Sequence, residues 1–173
     1  MILIVSGTNK VNSNSKKIAD YYYKLINERS SGVSRLFLDE IEFDFIRPDM
    51  YSEHSESLIN IQQNYFDPAT KVLFVIPEYN GSIPGILKLL IDALDVRSAF
   101  RNKKATIVGV ATGRAGNLRG LDHLMSILQH MQVNVMPGSV PISKVAELIN
   151  NDGTVDEATN KVIDQHIKKF LEY

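Results

Sequence analysis

Five short apolar runs, each followed by a loop and then by a segment of helical period, frame this 173-residue chain. They read MILIVS from residue 1, VSRLFL from 33, KVLFVI from 71, KATIVGVA from 104 and VNVMPG from 133. A nearly continuous apolar run of this length suits a strand covered on both faces, as in a parallel sheet with helices above and below. Between the runs the spacing predicts helices over residues 15–28, 53–65, 84–95 and 118–131. A last helix opens with the capping box Thr154 and Glu157 and runs to Phe170. In the first of these, Ile18, Ala19, Tyr22, Leu25 and Ile26 fall on one stripe. Residues 39–52, with Arg47-Pro48-Asp49, read as an irregular loop. Alternating strands and helices predict a doubly wound α/β/α sandwich. No repeat, linker or low-complexity tract divides it, so residues 1–173 are expected to form a single domain.

Several classes of function are excluded early. A formal net charge of −1 carries no sign of the concentrated basic face of a nucleic-acid binder. With no cysteine, there is no disulfide and no thiolate nucleophile, which fits a reducing cytoplasm. The opening MILIV is too short for a signal-peptide core and lacks a basic lead-in. No segment reaches the roughly 20 apolar residues of a membrane span. The histidines are His54, His123, His130 and His166. His123 and His130 are seven residues apart on one helix, about 10 Å, and cannot share a metal. Both are expected on its solvated face. No Ser-His-Asp order and no paired carboxylates are readable.

Open α/β sheets bind ligands at the carboxyl ends of their strands, so the loops after the first, third and fourth strands carry the functional reading. The first loop supplies Gly7, Thr8, Asn9, Lys10, Asn12, Ser13, Asn14 and Ser15 just ahead of a helix. Backbone N–H groups, hydroxyls and the helix dipole there suit an anion such as a phosphate. The spacing is neither a P-loop nor a G-x-G-x-x-G turn. The second loop, PEYNGSIPG from Pro77 to Gly85, sets a rigid proline, a ring, an amide and a glycine where a simple turn would suffice. The third, ATGRAGNLRG from residue 111, uses Gly113 and Gly116 to bring backbone close to a flat ligand, with Arg114 and Arg119 supplying charge.

Together the three loops resemble the NADPH-dependent FMN reductases, a family that includes quinone and azo-dye reductases. Gly7, Thr8, Lys10, Ser13 and Ser15 match its first motif. Pro77, Glu78, Tyr79, Asn80, Ser82, Pro84, Gly85, Leu87 and Lys88 match its second, continued by Ile91 and Asp92. Gly113 and Gly116 match its third. Lys10 stands where the family usually has arginine, Ser15 where it often has asparagine, and Asn117 where a second glycine is common. The resemblance implies a flavodoxin-like sandwich with a five-stranded parallel sheet in the order 2-1-3-4-5. It implies FMN held by Thr8, Lys10, Ser13, Asn14, Ser15, Pro77, Glu78, Tyr79, Asn80, Gly81, Thr112, Gly113, Arg114 and Gly116, with Ser13 and Thr8 at the 5′-phosphate. A side chain at Asn117 would add bulk near the ring. NADPH or NADH would donate a hydride to FMN, and a free flavin, quinone or azo compound would accept it. The cofactor would carry the chemistry, with no catalytic side chain and no metal. The alternative is a flavodoxin-like electron carrier or regulator, against which the near-neutral charge speaks.

Two helices carry more apolar residues than a sheet needs. On the 84–95 helix they cover an arc of about 200°, and on the 118–131 helix about 180°, where one stripe needs about 100°. A homodimer joined through these helices is expected.

Overall fold

The computed structural model describes all 173 residues. In chain order the elements are β1 (Ile2–Ser6), α1 (Asn14–Asn27), β2 (Val33–Phe37), α2 (Glu56–Ile61), β3 (Lys71–Pro77), α3 (Gly85–Ala93) and α4 (Val96–Ala99). They continue with β4 (Lys104–Val110), α5 (Leu118–His130), β5 (Asn134–Val135), β6 (Val140–Ile142), α6 (Val145–Leu148) and α7 (Glu157–Glu172). All strand pairs are parallel, in the order β2-β1-β3-β4-β5, and β6 also pairs with β4. This is the flavodoxin-like sandwich that the sequence predicts.

Both faces of the sheet are covered, which explains the apolar runs. Along β3, Val72, Phe74 and Ile76 pack with Leu58 of α2, Leu87 and Leu90 of α3, and Leu121, Leu124 and Leu128 of α5. Their neighbours Leu73 and Val75 pack on the other side with Ile18 and Tyr22 of α1 and Ile163, Ile167 and Phe170 of α7. The irregular stretch after β2 closes the first face with Phe45 and Met50, both buried. No helix is long and apolar enough to cross a membrane.

Local chemistry moves several boundaries away from the predicted ones. The fifth strand is split, because Val135 pairs with Ala105 and Val140 with Val108, five steps against three. Pro137 has no N–H for the ladder and Gly138 turns the chain at φ 88°, so the excess bulges out. The second helix begins only after Ser55, whose hydroxyl accepts the Leu58 N–H, and it ends in a π-helical turn, Gln62–Phe66. The third predicted helix stops at Ala93. Leu94 is extended, and the Asp95 carboxylate caps the short α4 instead. The last helix is capped by Asp156, which accepts the N–H groups of Ala158 and Thr159. Thr154 donates both its N–H and its hydroxyl to Asp152, and so takes no part in a capping box.

Candidate functional site

The carboxyl ends of β1, β3 and β4 converge on one cleft. Its first wall is the segment between β1 and α1. Asn12 is in the left-handed region at φ 56°. Ser13 caps α1, accepting the Lys16 N–H at 3.1 Å, and its hydroxyl lies 3.1 Å from that of Ser15. The backbone N–H groups of residues 11–15 find no acceptor within the chain. Successive free N–H groups at a helix start form an anion site, and the helix dipole reinforces it. The neighbouring Lys16 serves another end. Its ammonium lies 2.7 Å from both Asp39 and Glu40, and those hydrogen bonds hold its pKa above the usual lysine value.

The second wall is the β3 exit. The Glu78 N–H donates to the Val110 carbonyl, tying this loop to β4. Tyr79 and Ser82 then exchange two backbone hydrogen bonds of 3.0 Å each around Asn80 and Gly81, at φ 51° and 75°. A two-residue hairpin needs positive φ at both central residues, and Asn-Gly is the dipeptide that accepts it. That signal was legible in the sequence, and it explains why the loop is longer than a simple connection needs. Pro84, at ψ 133°, stands just before α3 rather than in its first turn. The Ser82 hydroxyl lies 2.8 Å from Nδ1 of His123. This histidine, expected to be merely solvated, is exposed but anchors the hairpin to α5.

The third wall is the segment after β4. Thr112, Gly113 and Arg114 have no acceptor for their N–H groups. The wall is braced from behind: the Ala111 carbonyl accepts the Val145 N–H, Gly113 accepts from Lys144, and the Ser143 hydroxyl donates to the Arg114 carbonyl. Gly116 has φ 57°, and a Cβ there would stand 2.6 Å from Cβ of Pro141. Asn117 is fully buried. Its amide donates to the Ile76 carbonyl at 3.0 Å, and its oxygen accepts the Gly120 N–H. The bulk expected near the ring thus points into the protein, where it joins β3 to α5.

Between these walls lies a cavity of about 290 Å³ lined by Lys10, Ser13, Asn14, Ser15, Pro77, Glu78, Tyr79 and Thr112. A second, of about 340 Å³, shares Glu78 and Thr112 and adds Asn80, Gly81, Gly113 and Arg114. Of the expected site residues, only Thr8 and Gly116 lie outside both. Thr8 is fully buried. Its hydroxyl lies 2.8 Å from that of Tyr79 and accepts the Lys10 N–H, so it links the first wall to the second. Val145, which also lines the cleft, belongs to a short helix whose loop carries no recognisable motif. The donor set fits FMN: a row of free N–H groups at one end for a phosphate, and two loops with polar edges flanking the rest.

The family model for NADPH-dependent FMN reductase matches residues 1–147. A 2-hydroxy-1,4-benzoquinone reductase of a Burkholderia species is 25% identical over 174 residues, covering 99% of this chain and 90% of that protein. An NAD(P)H-dependent FMN reductase of Pseudomonas aeruginosa is 29% identical over 106 residues, which span 60% of this chain and only 54% of that protein. Among solved structures, the NAD(P)H:acceptor oxidoreductase FerB of Paracoccus denitrificans shares the fold with a TM-score of 0.81 at 24% identity, over 99% of this chain and 95% of that one. Three matching loops, a cleft whose free N–H groups suit a phosphate and a family match over most of its length place this chain in the NADPH-dependent FMN reductase family.

Proposed function

We propose that this protein is an FMN-dependent oxidoreductase that draws electrons from NADPH or NADH and reduces a small quinone-type acceptor, working in the cytoplasm as a homodimer. The observation that carries this reading is the row of free N–H groups at residues 11–15, where residues 12–15 line one cavity with Pro77, Glu78 and Tyr79 of the β3 exit. In the proposed complex those N–H groups, with Lys10, Asn14 and Ser15, hold the FMN phosphate. Ser13 contributes through the cap that shapes the helix start. Pro77, Glu78, Tyr79, Asn80 and Gly81 flank one side of the ring. On the other side, the N–H groups of Thr112, Gly113 and Arg114 would stabilise negative charge. Bound there, FMN would supply the redox chemistry that links the nicotinamide donor to the acceptor. Thr8 positions Tyr79 from behind, and Gly116 lets the third wall pass Pro141. The quinone class is suggested by the Burkholderia relative. Partial exposure of Ile86, Leu89, Leu118, Met125 and Ile127 on α3 and α5 supports the dimer.

An absorbance spectrum of the protein loaded with FMN, followed by anaerobic addition of NADPH and then NADH, tests the reading. Rapid bleaching of the flavin band without an acceptor, reversed by a benzoquinone, is expected. A flavin band that neither donor bleaches would leave the electron-carrier alternative standing.

A further inference from the structure

Helix starts favour carboxylates, because the dipole presents positive charge there. The first turn of α1 has none, and Lys16 stands in it instead. This lysine is held at both ends. Its N–H donates to the Ser13 cap at 3.1 Å, while its ammonium lies 2.7 Å from Asp39 Oδ2 and 2.7 Å from Glu40 Oε1. Along the way the side chain passes Phe37, with Nζ 5.5 Å from the ring centroid.

The two carboxylates stand just past β2, where the Leu38 N–H still donates to the Ser6 carbonyl at the end of β1. The Asp39 side chain is only 4% exposed, and its Oδ1 has no partner, so Lys16 on Oδ2 is the one group that compensates its charge. Withdrawing that cation would leave a buried carboxylate unpaired, which is strongly unfavourable. Lys16 is therefore committed to Asp39 rather than free to turn towards a ligand. Neither residue lines the cleft, whereas Ser13, Asn14 and Ser15 of the same turn do. The pair reaches the cleft only through the backbone that it holds.

Building on the flavin site proposed above, we infer that Lys16 and Asp39 are positioning residues for the flavin phosphate. Their ion pair ties the first turn of α1, and with it the free N–H groups of residues 11–15, to the end of β2, and so sets how strongly the protein prefers FMN to riboflavin. Donors already fixed in place need no ordering when the phosphate arrives, and the affinity gained from them depends on what keeps them fixed. Riboflavin has the same ring and ribityl chain but no phosphate, so it gains nothing from that row.

The test is a titration of the full chain, freed of flavin, with FMN and with riboflavin, followed by flavin fluorescence, for the wild type, Lys16→Met, Lys16→Arg, Asp39→Asn and Lys17→Met. Lys16→Met and Asp39→Asn are each expected to lower the ratio of FMN to riboflavin affinity about tenfold, as loss of well-placed hydrogen bonds to a charged group implies. Lys16→Arg should keep the ratio within about threefold of wild type, because a guanidinium also spans two carboxylates. Lys17, the next residue, is exposed. Lys17→Met removes the same charge and should also stay within about threefold, since an exposed charge is screened. If Lys16→Met fails to fold and loses both ligands, Asp39→Asn, which keeps the shape of the side chain, carries the test. Equal weakening of FMN and riboflavin in Asp39→Asn would make the pair a structural tie with no part in phosphate recognition. A ratio raised in Asp39→Asn would show that the carboxylate holds Lys16 back from the phosphate, and an equal fall in Lys17→Met would reduce the effect to charge; either overturns the inference. Failure of the wild type to bind FMN at all would instead refute the functional reading itself, so the two failures are distinguishable.

Discussion

Ser13 and Ser15 stand two residues apart with their hydroxyls in contact, yet they have different tasks. Ser13 caps α1, and Ser15 lies inside its first turn and lines the cleft. Ser13→Ala is therefore expected to lose about 1 kcal/mol of stability along with FMN affinity. Ser15→Ala should raise the FMN dissociation constant about tenfold or more, with the smaller change in urea midpoint. Fluorescence quenching reads the first quantity and urea titration the second; unaltered FMN affinity in Ser15→Ala would remove it from the phosphate site. Asn117 shows what a motif comparison leaves out. A substituted glycine position suggests a side chain near the ligand, but only the fold shows that this amide joins Ile76 to Gly120. His166 was silent in the sequence for the same reason. Its Nδ1 lies 3.0 Å from the Tyr22 hydroxyl of α1 and its Nε2 2.8 Å from the Thr106 hydroxyl of β4, so it joins both to α7. Burial first, and Lys169 second, lower its pKa from 6.5 to about 4. The unfolded chain therefore binds a proton over that interval and the folded chain does not. The stabilisation is full above pH 6.5 and declines as pH falls towards 4, by roughly 3 kcal/mol at about 1.4 kcal/mol per pH unit. Urea titrations at pH 7.5 and 4.5 should show this decline, and His166→Gln should flatten it. A variant as acid-sensitive as the wild type would show that other groups are responsible.

At the scale of elements, five strands and five helices were legible in their order, the short α4, β6 and α6 were not, and starts and stops depended on individual hydrogen bonds. The apolar runs identify strands because burial on both faces leaves few other patterns. Where a helix begins is decided by which of several nearby side chains reaches a free N–H. The pair Thr154 and Glu157 has capping-box spacing, but Asp152 engages Thr154, and Ile149 bridges to Val155, leaving Asp156 to cap α7. Asp156→Ala should cost about 1 kcal/mol in urea titration. Thr154→Ala should cost clearly less, because its partners form a surface turn rather than the helix end. A larger loss for Thr154→Ala would restore the capping box. The other end of α7 depended on contacts that no local pattern reveals. Lys71, at the start of β3, donates to the carbonyls of Phe170 and Leu171, where an ammonium also meets the negative end of the helix dipole. Desolvation, then the charge of Lys104, lowers its pKa.

Taken as a whole, the molecule places nearly all its loop chemistry at the carboxyl edge of the sheet and leaves part of the apolar surface of α3 and α5 uncovered. Gly120, Leu121, Leu124 and Leu128 of α5 are buried against the sheet, as are Leu87, Leu90 and Ile91 of α3. That accounts for about one stripe on each helix. Ile86, Leu89, Met125 and Ile127 are only partly covered, and Leu118 is 53% exposed. Scattered apolar residues on a surface need no explanation, but five on two neighbouring helices are more than the sheet needs, and Ile127 among them lines the groove between α3 and α5 with Lys88 and Ser126. The start of α5 borders the cleft, since Leu118 follows Asn117 directly. Light scattering at micromolar concentration should therefore give twice the 19.4 kDa chain mass. Ile127→Glu places a charge in the groove between α3 and α5 at a half-covered position, away from the FMN phosphate wall. It should shift the mass towards the monomer, because a buried unpaired charge costs several kcal/mol. A wild-type protein that scatters as a 19.4 kDa monomer would defeat the dimer, and the partial cover of α3 and α5 would then be ordinary surface.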